Sequence, residues 1–522
     1  MSKFKTISLL VIFTLMLTLM AIPAAAQEYG GTFVFGRGGD SVGLDPIQVT
    51  DGESFKVTQQ IYDTLVMFEP GTTEVIPGLA KEWEISEDGK TVTFYLREGV
   101  EFHDGNPVNA EAIKWNFDRW GYEDHPYHIG GDFYYYSYMF QDFPGVIKEV
   151  KAVDEYTVEF NLTDPQGPFL NNLAMVSFGI ASPEAVKEHG EDYFKNPVGS
   201  GPFKFVEWKQ GDRVVLEANE DYWGGRPYLD KVVFRSIPDN GARYMELKAG
   251  SIDMMDYINP EDVDDAEKSD GLDVVLRPSM NVGYFSMNQE VEPFDDVKVR
   301  KALAHAVNKE SLIGAFYAGL AEPAKNPLPP SLWGYNDDIE DYEYNPEKAR
   351  ELLAEAGYPD GFEFDFYYMP VPRPYFPQPK MIAQALQFYF SEIGVEANLL
   401  SYDWGTYLDK YYAKELDTYI LGWTGDNGDP DNFLYVLLDQ TQNNFNYKND
   451  ELHEVLVEAQ RTMDHEKRVE LYEEAQVIIH NDVPWVTIAH STPPLVKKSK
   501  IRNYVPNPTS TEKFHEVWIE QE

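Results

Sequence analysis

Two hydrophobic periods divide the chain. Up to about residue 240, strict alternation dominates: Val92, Phe94 and Leu96 alternate with polar positions in TVTFYLR (91–97), as do Tyr156, Val158, Phe160 and Leu162 in EYTVEFNLT (155–163). A period of two predicts half-buried strands, and SEDGK and TDPQGP supply the turns between them. Thr32 to Phe35 reads as a further strand, followed by a bent glycine-rich loop, GRGGDSVGLDP (36–46), which lacks the Lys-Ser/Thr of a phosphate cradle. The aromatic run DFYYYSYMF (132–140) reads as loop and core packing, or as the wall of a ligand pocket.

Beyond residue 290 the period lengthens. Val299, Ala302, Leu303, Ala306 and Val307 lie on one helical face. Asn345 as N-cap, Pro346 in the first turn, Ala349, Leu352, Leu353 and Ala356 as an apolar stripe, and Gly357 beyond the end predict another helix. Strand 362–369, loop 370–379, helix 380–393, strand 395–402, helix 404–414 and strand 417–423 then follow. Such alternation predicts parallel strands in an α/β sheet, with the loops after residues 369 and 423 emerging at one edge, where ligands of such sheets bind.

Composition narrows the function. The 522 residues suggest two or three domains, and 43 basic against 88 acidic residues give a net charge of −45, which argues against nucleic acid or an anionic membrane as partner. Lys3 and Lys5, an apolar run from Ile7 to Ile22 and Ala24-Ala25-Ala26 form a signal peptide with cleavage expected near Ala26. No later stretch is long and apolar enough to span a membrane. Cysteine is absent, so disulfides, thiol catalysis, cysteine metal sites and a lipid anchor on cysteine are all excluded.

Candidate chemistry centres on GWTGDNGDPDNF (422–433). An EF-hand beginning at Asp426 would place Asp431 and Leu437 where glycine and glutamate belong, so calcium does not fit. Paired glycosidase carboxylates find no second acidic loop, and no HExxH occurs; His480 and His490, flanking NDVPWVTIAH, read as core histidines. Asp426 and Arg373, on loops at one sheet edge, could hold an ammonium and a carboxylate at the two ends of a zwitterion, or could simply pair with each other. Asp429 and Asp431 are expected to shape the turn into the next helix.

The blocks TTEVIPGLAKEWEISEDGKTVTFYLREGVEFHDG (72–105), NPVGSGPF (196–203), DDVKVRKALAHAVNKE (295–310), MPVPRPY (369–375), GWTGDNGDPDNF and AHST (489–492), in this order, resemble the peptide-binding proteins of bacterial ABC importers, extracellular solute-binding family 5. The resemblance runs from about residue 31 to 522. It implies an α/β fold, a periplasmic-binding-protein type II-like two-lobed clamshell with an additional domain. Domain I would comprise 27–62, 198–278 and 492–522, domain II 63–197 and domain III 279–491, with hinges near 278 and 491.

The resemblance further implies an exported, non-enzymatic binding protein, monomeric and without cofactor or metal, that delivers dipeptides to an inner-membrane ABC permease, with a chemoreceptor as a further candidate partner. Asp426 would bind the α-amino group and Arg373 the α-carboxylate, with backbone groups of Gly422 and Thr424 along the peptide, Trp423 and Tyr375 as walls and the Gly52 loop contributing from domain I. Alternatives are longer oligopeptides, 5-aminolevulinate, haem or an oligosaccharide; a secreted hydrolase is the alternative from another class. The chain departs from its relatives in having no cysteines for their disulfides and a shortened 105–110 segment.

Overall fold

The computed structural model describes residues 27–130, 133–141 and 143–521, so the expected leader at 1–26 lies outside the described residues. Among the described residues the strands form sheets of seven, six and four strands and two two-stranded ribbons. The seven-stranded sheet gathers Thr32–Arg37, three strands between 203 and 236, Met254–Met255, Leu272–Leu276 and Pro494–Lys498 from distant parts of the chain. Its centre is parallel, Thr32–Arg37 beside Lys231–Ser236, and its flanks are antiparallel.

The four-stranded sheet is the alternating region of the sequence: in Thr91–Leu96 and Thr157–Leu162, Val92, Phe94, Leu96, Val158, Phe160 and Leu162 are buried, as the period of two requires. Helix Ala110–Gly121 covers it, with Phe117 edge-on to Phe160. That helix, together with Gly52–Ile61, Tyr134–Phe140, Phe169–Leu173 and Pro183–His189, corrects the strand-dominated reading of this half. Asn109, whose side chain accepts from Ala112 N–H, was a legible cap; Tyr134–Phe140 has no side-chain cap and its rings pack where a loop was expected.

The six-stranded sheet runs Ala321–Pro323, Trp485–Ser491, Asn281–Met287, Thr418–Thr424, Glu363–Tyr367, Glu396–Leu400. Glu363–Tyr367 is parallel to both its neighbours, so the loops after it and after Thr418–Thr424 leave at one edge. The rest is antiparallel, so the sheet is mixed rather than wholly parallel. Asn281–Met287 and Trp485–Ser491 are buried at every position and therefore carry no alternation that could have announced them. Helix Pro346–Glu355 has the expected Asn345 cap, accepting from Lys348 N–H, with Gly357 at φ +95° beyond its end. Each large sheet carries its own hydrophobic core. Among the described residues no helix is long and apolar enough to cross a membrane.

Candidate functional site

The strand Thr418–Thr424 delivers the acidic loop. Gly425 N–H still donates to Met280 O at 2.8 Å, and a Cβ there would lie 2.6 Å from the Phe433 ring, so glycine is required for the chain to turn. Asp426 follows, half-buried. Its amide donates to Asn432 Oδ1 at 2.9 Å, and its carboxylate accepts from Asn432 Nδ2 at 3.2 Å and from the Tyr135 hydroxyl at 3.3 Å. The Trp423 indole donates to the same Asn432 oxygen at 3.0 Å. Burial pushes Asp426 up to about 6, opposed by the Asn432 and Tyr135 hydrogen bonds. Among the described residues no cation pairs with it.

Asp429 differs. Arg468 grips both its oxygens, at 2.9 and 2.7 Å, and Asp431 N–H donates to it at 3.0 Å, so it shapes the turn as expected. Asp431 is the first residue of helix Asp431–Leu438 and caps nothing with its side chain, which faces Gln460 at 3.4 Å; burial pushes it up to about 7.

The loop carrying Arg373 lies directly on the same sheet because Gly283 and Gly422 are cross-strand partners. A Cβ on Gly422 would come within 2.3 Å of the Tyr375 ring, and one on Gly283 within 2.9 Å of Phe376. The Tyr317 hydroxyl donates to Tyr375 O and the Ser491 hydroxyl to Pro374 O, each at 2.8 Å. Tyr375 is thereby buried, which pushes its hydroxyl up to about 12. The half-buried Arg373 guanidinium stacks over Trp404, 4.8 Å from the ring centre, and among the described residues forms no ion pair with Asp426 or any other carboxylate.

Between these groups runs an open strand edge. Gly425 N–H points to Met280, on the side of strand Asn281–Met287, whereas Ile420 O accepts from the Tyr407 hydroxyl on the opposite side at 2.7 Å. By two-residue alternation, Gly422 and Thr424 also present their backbone groups to that opposite side. Among the described residues the neighbouring strand pairs there only at Tyr367 with Tyr419, and none claims the edge beyond.

Residues of the four-stranded unit close over the loop. Asn171 Nδ2 donates to Asn427 O at 2.8 Å, Asn427 Nδ2 to Asn172 Oδ1 at 2.6 Å, and the Tyr138 hydroxyl to Val436 O at 3.0 Å. Gly428, at φ +70°, lies so close to Thr73 that a Cβ would collide with it. The aromatic run therefore serves both readings: Tyr136 is core, whereas Tyr135 faces the acidic loop and Tyr138 the helix that follows it. A cavity of about 600 Å³ separates the six- and seven-stranded units, bordered by Arg373, Tyr317, Glu53, Tyr257 and the crossing at Pro493. Of the expected site residues only Arg373 borders it. Gly52 is the exposed first residue of helix Gly52–Ile61, and its neighbour Glu53 is the one that reaches the cavity. Sequence reading missed Asn432, Tyr135, Trp404 and Glu53; Asn432, in the motif itself, was the one within reach.

Other chemistry finds little support here. Residues 39–43 spell Gly-x-Ser-x-Gly, which corrects the reading of the sequence as free of that pattern, but Ser41 is buried, accepts from Arg37 at 2.8 Å and leads into no helix before Gly52. Among the described residues no group of three His, Cys, Asp or Glu side chains could hold a metal. His490 is a core histidine, its Nδ1 2.7 Å from Asn281 O and its ring held neutral by burial, down to about 4; His480 stacks on Tyr342.

A two-lobed α/β fold with a ligand-sized cleft between lobes defines an extracellular solute-binding protein of the type II periplasmic-binding class with an additional domain. The family described as bacterial extracellular solute-binding proteins, family 5 Middle, matches residues 74–445, and the chain belongs to that family. It is 41% identical to the dipeptide-binding protein of Escherichia coli (strain K12), over 97% of each chain. It is 39% identical to heme-binding protein A of Haemophilus influenzae, over 95% of this chain and 94% of that one. The ABC transporter-associated periplasmic binding protein DppA from Helicobacter pylori, in complex with the peptide STSA, superposes with a TM-score of 0.85 at 37% identity, covering 95% of this chain and 99% of that one.

Proposed function

We propose that the protein captures dipeptides by both charged termini and hands them to an ABC importer, acting outside the cytoplasm as a monomeric binding protein without catalysis. The observation that carries this reading is an unclaimed strand edge at Gly422 and Thr424 with a carboxylate lacking a cation at one end and a guanidinium lacking a carboxylate near the other. The peptide would extend the strand, its ammonium on Asp426 beside the Tyr135 hydroxyl, its carboxylate on Arg373 in bidentate geometry. Trp423 and Tyr375 wall the two ends. A dipeptide spans about 7 Å at roughly 3.3–3.6 Å per residue, and fixed partners at both termini select for that length.

Domain boundaries at 27–62, 198–278 and 492–522, at 63–197 and at 279–491 are part of the proposal, supported by the way the seven-, four- and six-stranded sheets draw their strands. The crossings near 278 and 491 are then the hinges.

Native mass spectrometry of the exported protein mixed with Ala-Ala tests the reading. It predicts one dipeptide per chain, intact after prolonged incubation. Sustained release of free alanine, or binding of haem in preference to any peptide, contradicts it.

A further inference from the structure

The interlobe cavity touches the proposed peptide site only at Arg373, yet its opposite wall belongs to the seven-stranded unit and carries a carboxylate with no role in that site. Glu53 sits in the first turn of helix Gly52–Ile61. Lys56 Nζ donates to its Oε2 at 3.2 Å, and Lys56 is itself fixed by Asp256 and by the Tyr257 ring, 5.0 Å from the ring centre. Oε1 lies beside Gly38, where a Cβ would stand 3.5 Å away, and accepts no hydrogen bond among the described residues. Burial raises Glu53 above the ordinary carboxylate range against the pull of Lys56, the mark of a charge with too few partners.

Of the other charged groups at the cavity, Arg243 is fully engaged and Asp239 lies on the exposed side. Arg243 borders it, but its guanidinium is fully buried and donates to Asp256 O at 3.3 and 3.1 Å and to Asn240 Oδ1 at 2.6 Å, with Ile237 O and Tyr257 O as further acceptors. Asp239 accepts from Ala242 N–H at 2.7 Å as a helix cap. Much of the remaining wall is proline, with Leu320 and Tyr317. An acidic side chain would therefore find no free cation among the described lining residues except Arg373, which the ligand's own carboxylate occupies. An aliphatic stem ending in a cation finds apolar walls and, on the buried side, the Glu53 oxygen in want of a donor.

Arg373 is the group shared by the proposed peptide site and this cavity, so a second residue whose carboxylate lies on Arg373 would have its side chain beside the cavity, while the first side chain would point to the other face. We infer that the cavity is the subsite for the second side chain of the dipeptide, and that Glu53 makes it selective for a cationic one, such as lysine or arginine. The inference rests on the two-ended binding reading, and it assigns to Glu53, not to Gly52, the contribution of this segment. The cavity, at about 600 Å³, falls within the size range of small-molecule sites and admits a long side chain without contact at every wall.

The test is calorimetric titration of the exported protein at about pH 8 with Ala-Lys, Ala-norleucine and Ala-Glu, and with N-acetylated, C-amidated Ala-Lys, in the natural chain and in Glu53→Gln. One charge-assisted hydrogen bond predicts Ala-Lys binding about tenfold more tightly than Ala-norleucine, with Ala-Glu weakest, and the Ala-Lys to Ala-norleucine ratio falling toward one in Glu53→Gln. Because the readout is a ratio within one protein, general damage from the substitution cancels. Equal affinities across the free series, or a ratio unchanged in Glu53→Gln, overturn the subsite alone. Blocked Ala-Lys binding as well as free Ala-Lys overturns the two-ended reading and the subsite with it.

Discussion

Asp426 and Asp429 occupy one loop and both lie against the protein interior, but only one of them has a counter-ion. Asp429 receives both arms of Arg468, whereas Asp426 receives one amide and one phenol. Desolvation without a cation raises Asp426 to about 6, while the guanidinium beside Asp429 settles that charge inside the fold. A chain gains nothing in stability from a carboxylate left like Asp426. Identical residue types three positions apart therefore divide the work: one holds the loop, and the other is set for a cation from outside.

The largest effect expected from that division falls on stability. Breaking the internal pair with Arg468→Met leaves Asp429 buried and unpaired, and unfolding free energy measured by denaturant titration should fall by about 3–5 kcal/mol. A loss below about 1 kcal/mol would erase the distinction between the two aspartates.

Asp426→Asn should act the other way. It removes the ammonium's partner, at about 2–4 kcal/mol of dipeptide affinity, yet relieves a desolvated charge, so the melting temperature of the ligand-free protein should hold or rise. A melting temperature that falls as far as in Arg468→Met would mark Asp426 as structural.

Acid should reproduce part of that loss. Asp426 binds ammonium only when ionised, so affinity should be level above about pH 7 and about tenfold lower at about pH 5, with a proton released on binding, and Asp426→Asn should flatten the profile. The stability of the ligand-free protein responds with the opposite sign. Because its pKa in the fold is raised above 3.8, the stability Asp426 contributes to the ligand-free protein is complete below 3.8 and lost as pH rises through about 6. Asp431 behaves alike, losing its contribution through about 7. The smallest effect belongs to the other end of the site: Trp404→Ala removes the ring beneath Arg373 and should weaken binding by about 0.5–1 kcal/mol by calorimetry.

The acidic loop and the Arg373 loop were legible because glycine and proline punctuate them and the strand–helix alternation around them sets parallel neighbours at one edge. Helix Pro346–Glu355 carried its own cap and stop in Asn345 and Gly357. What could not be read was long-range partnership: Tyr135 stands 291 positions from Asp426, and Arg468 stands 39 from Asp429. The wholly buried strands Asn281–Met287 and Trp485–Ser491 lack a polar face, so no period betrays them, and they are the strands that make the sheet mixed. Helix Ala110–Gly121 was hidden among alternating strands although Asn109 announced it, a matter of local reading and not of tertiary override.

The central claim, that both charged ends of a dipeptide are held, is tested most directly by calorimetric comparison of Ala-Ala with its N-acetyl and C-amide forms in the natural chain, Asp426→Asn and Arg373→Ala. The account predicts large losses on blocking either end, with N-acetylation adding little further loss in Asp426→Asn and C-amidation little further loss in Arg373→Ala. Equal binding of free and blocked dipeptides, or losses that simply add in the variants, would contradict it.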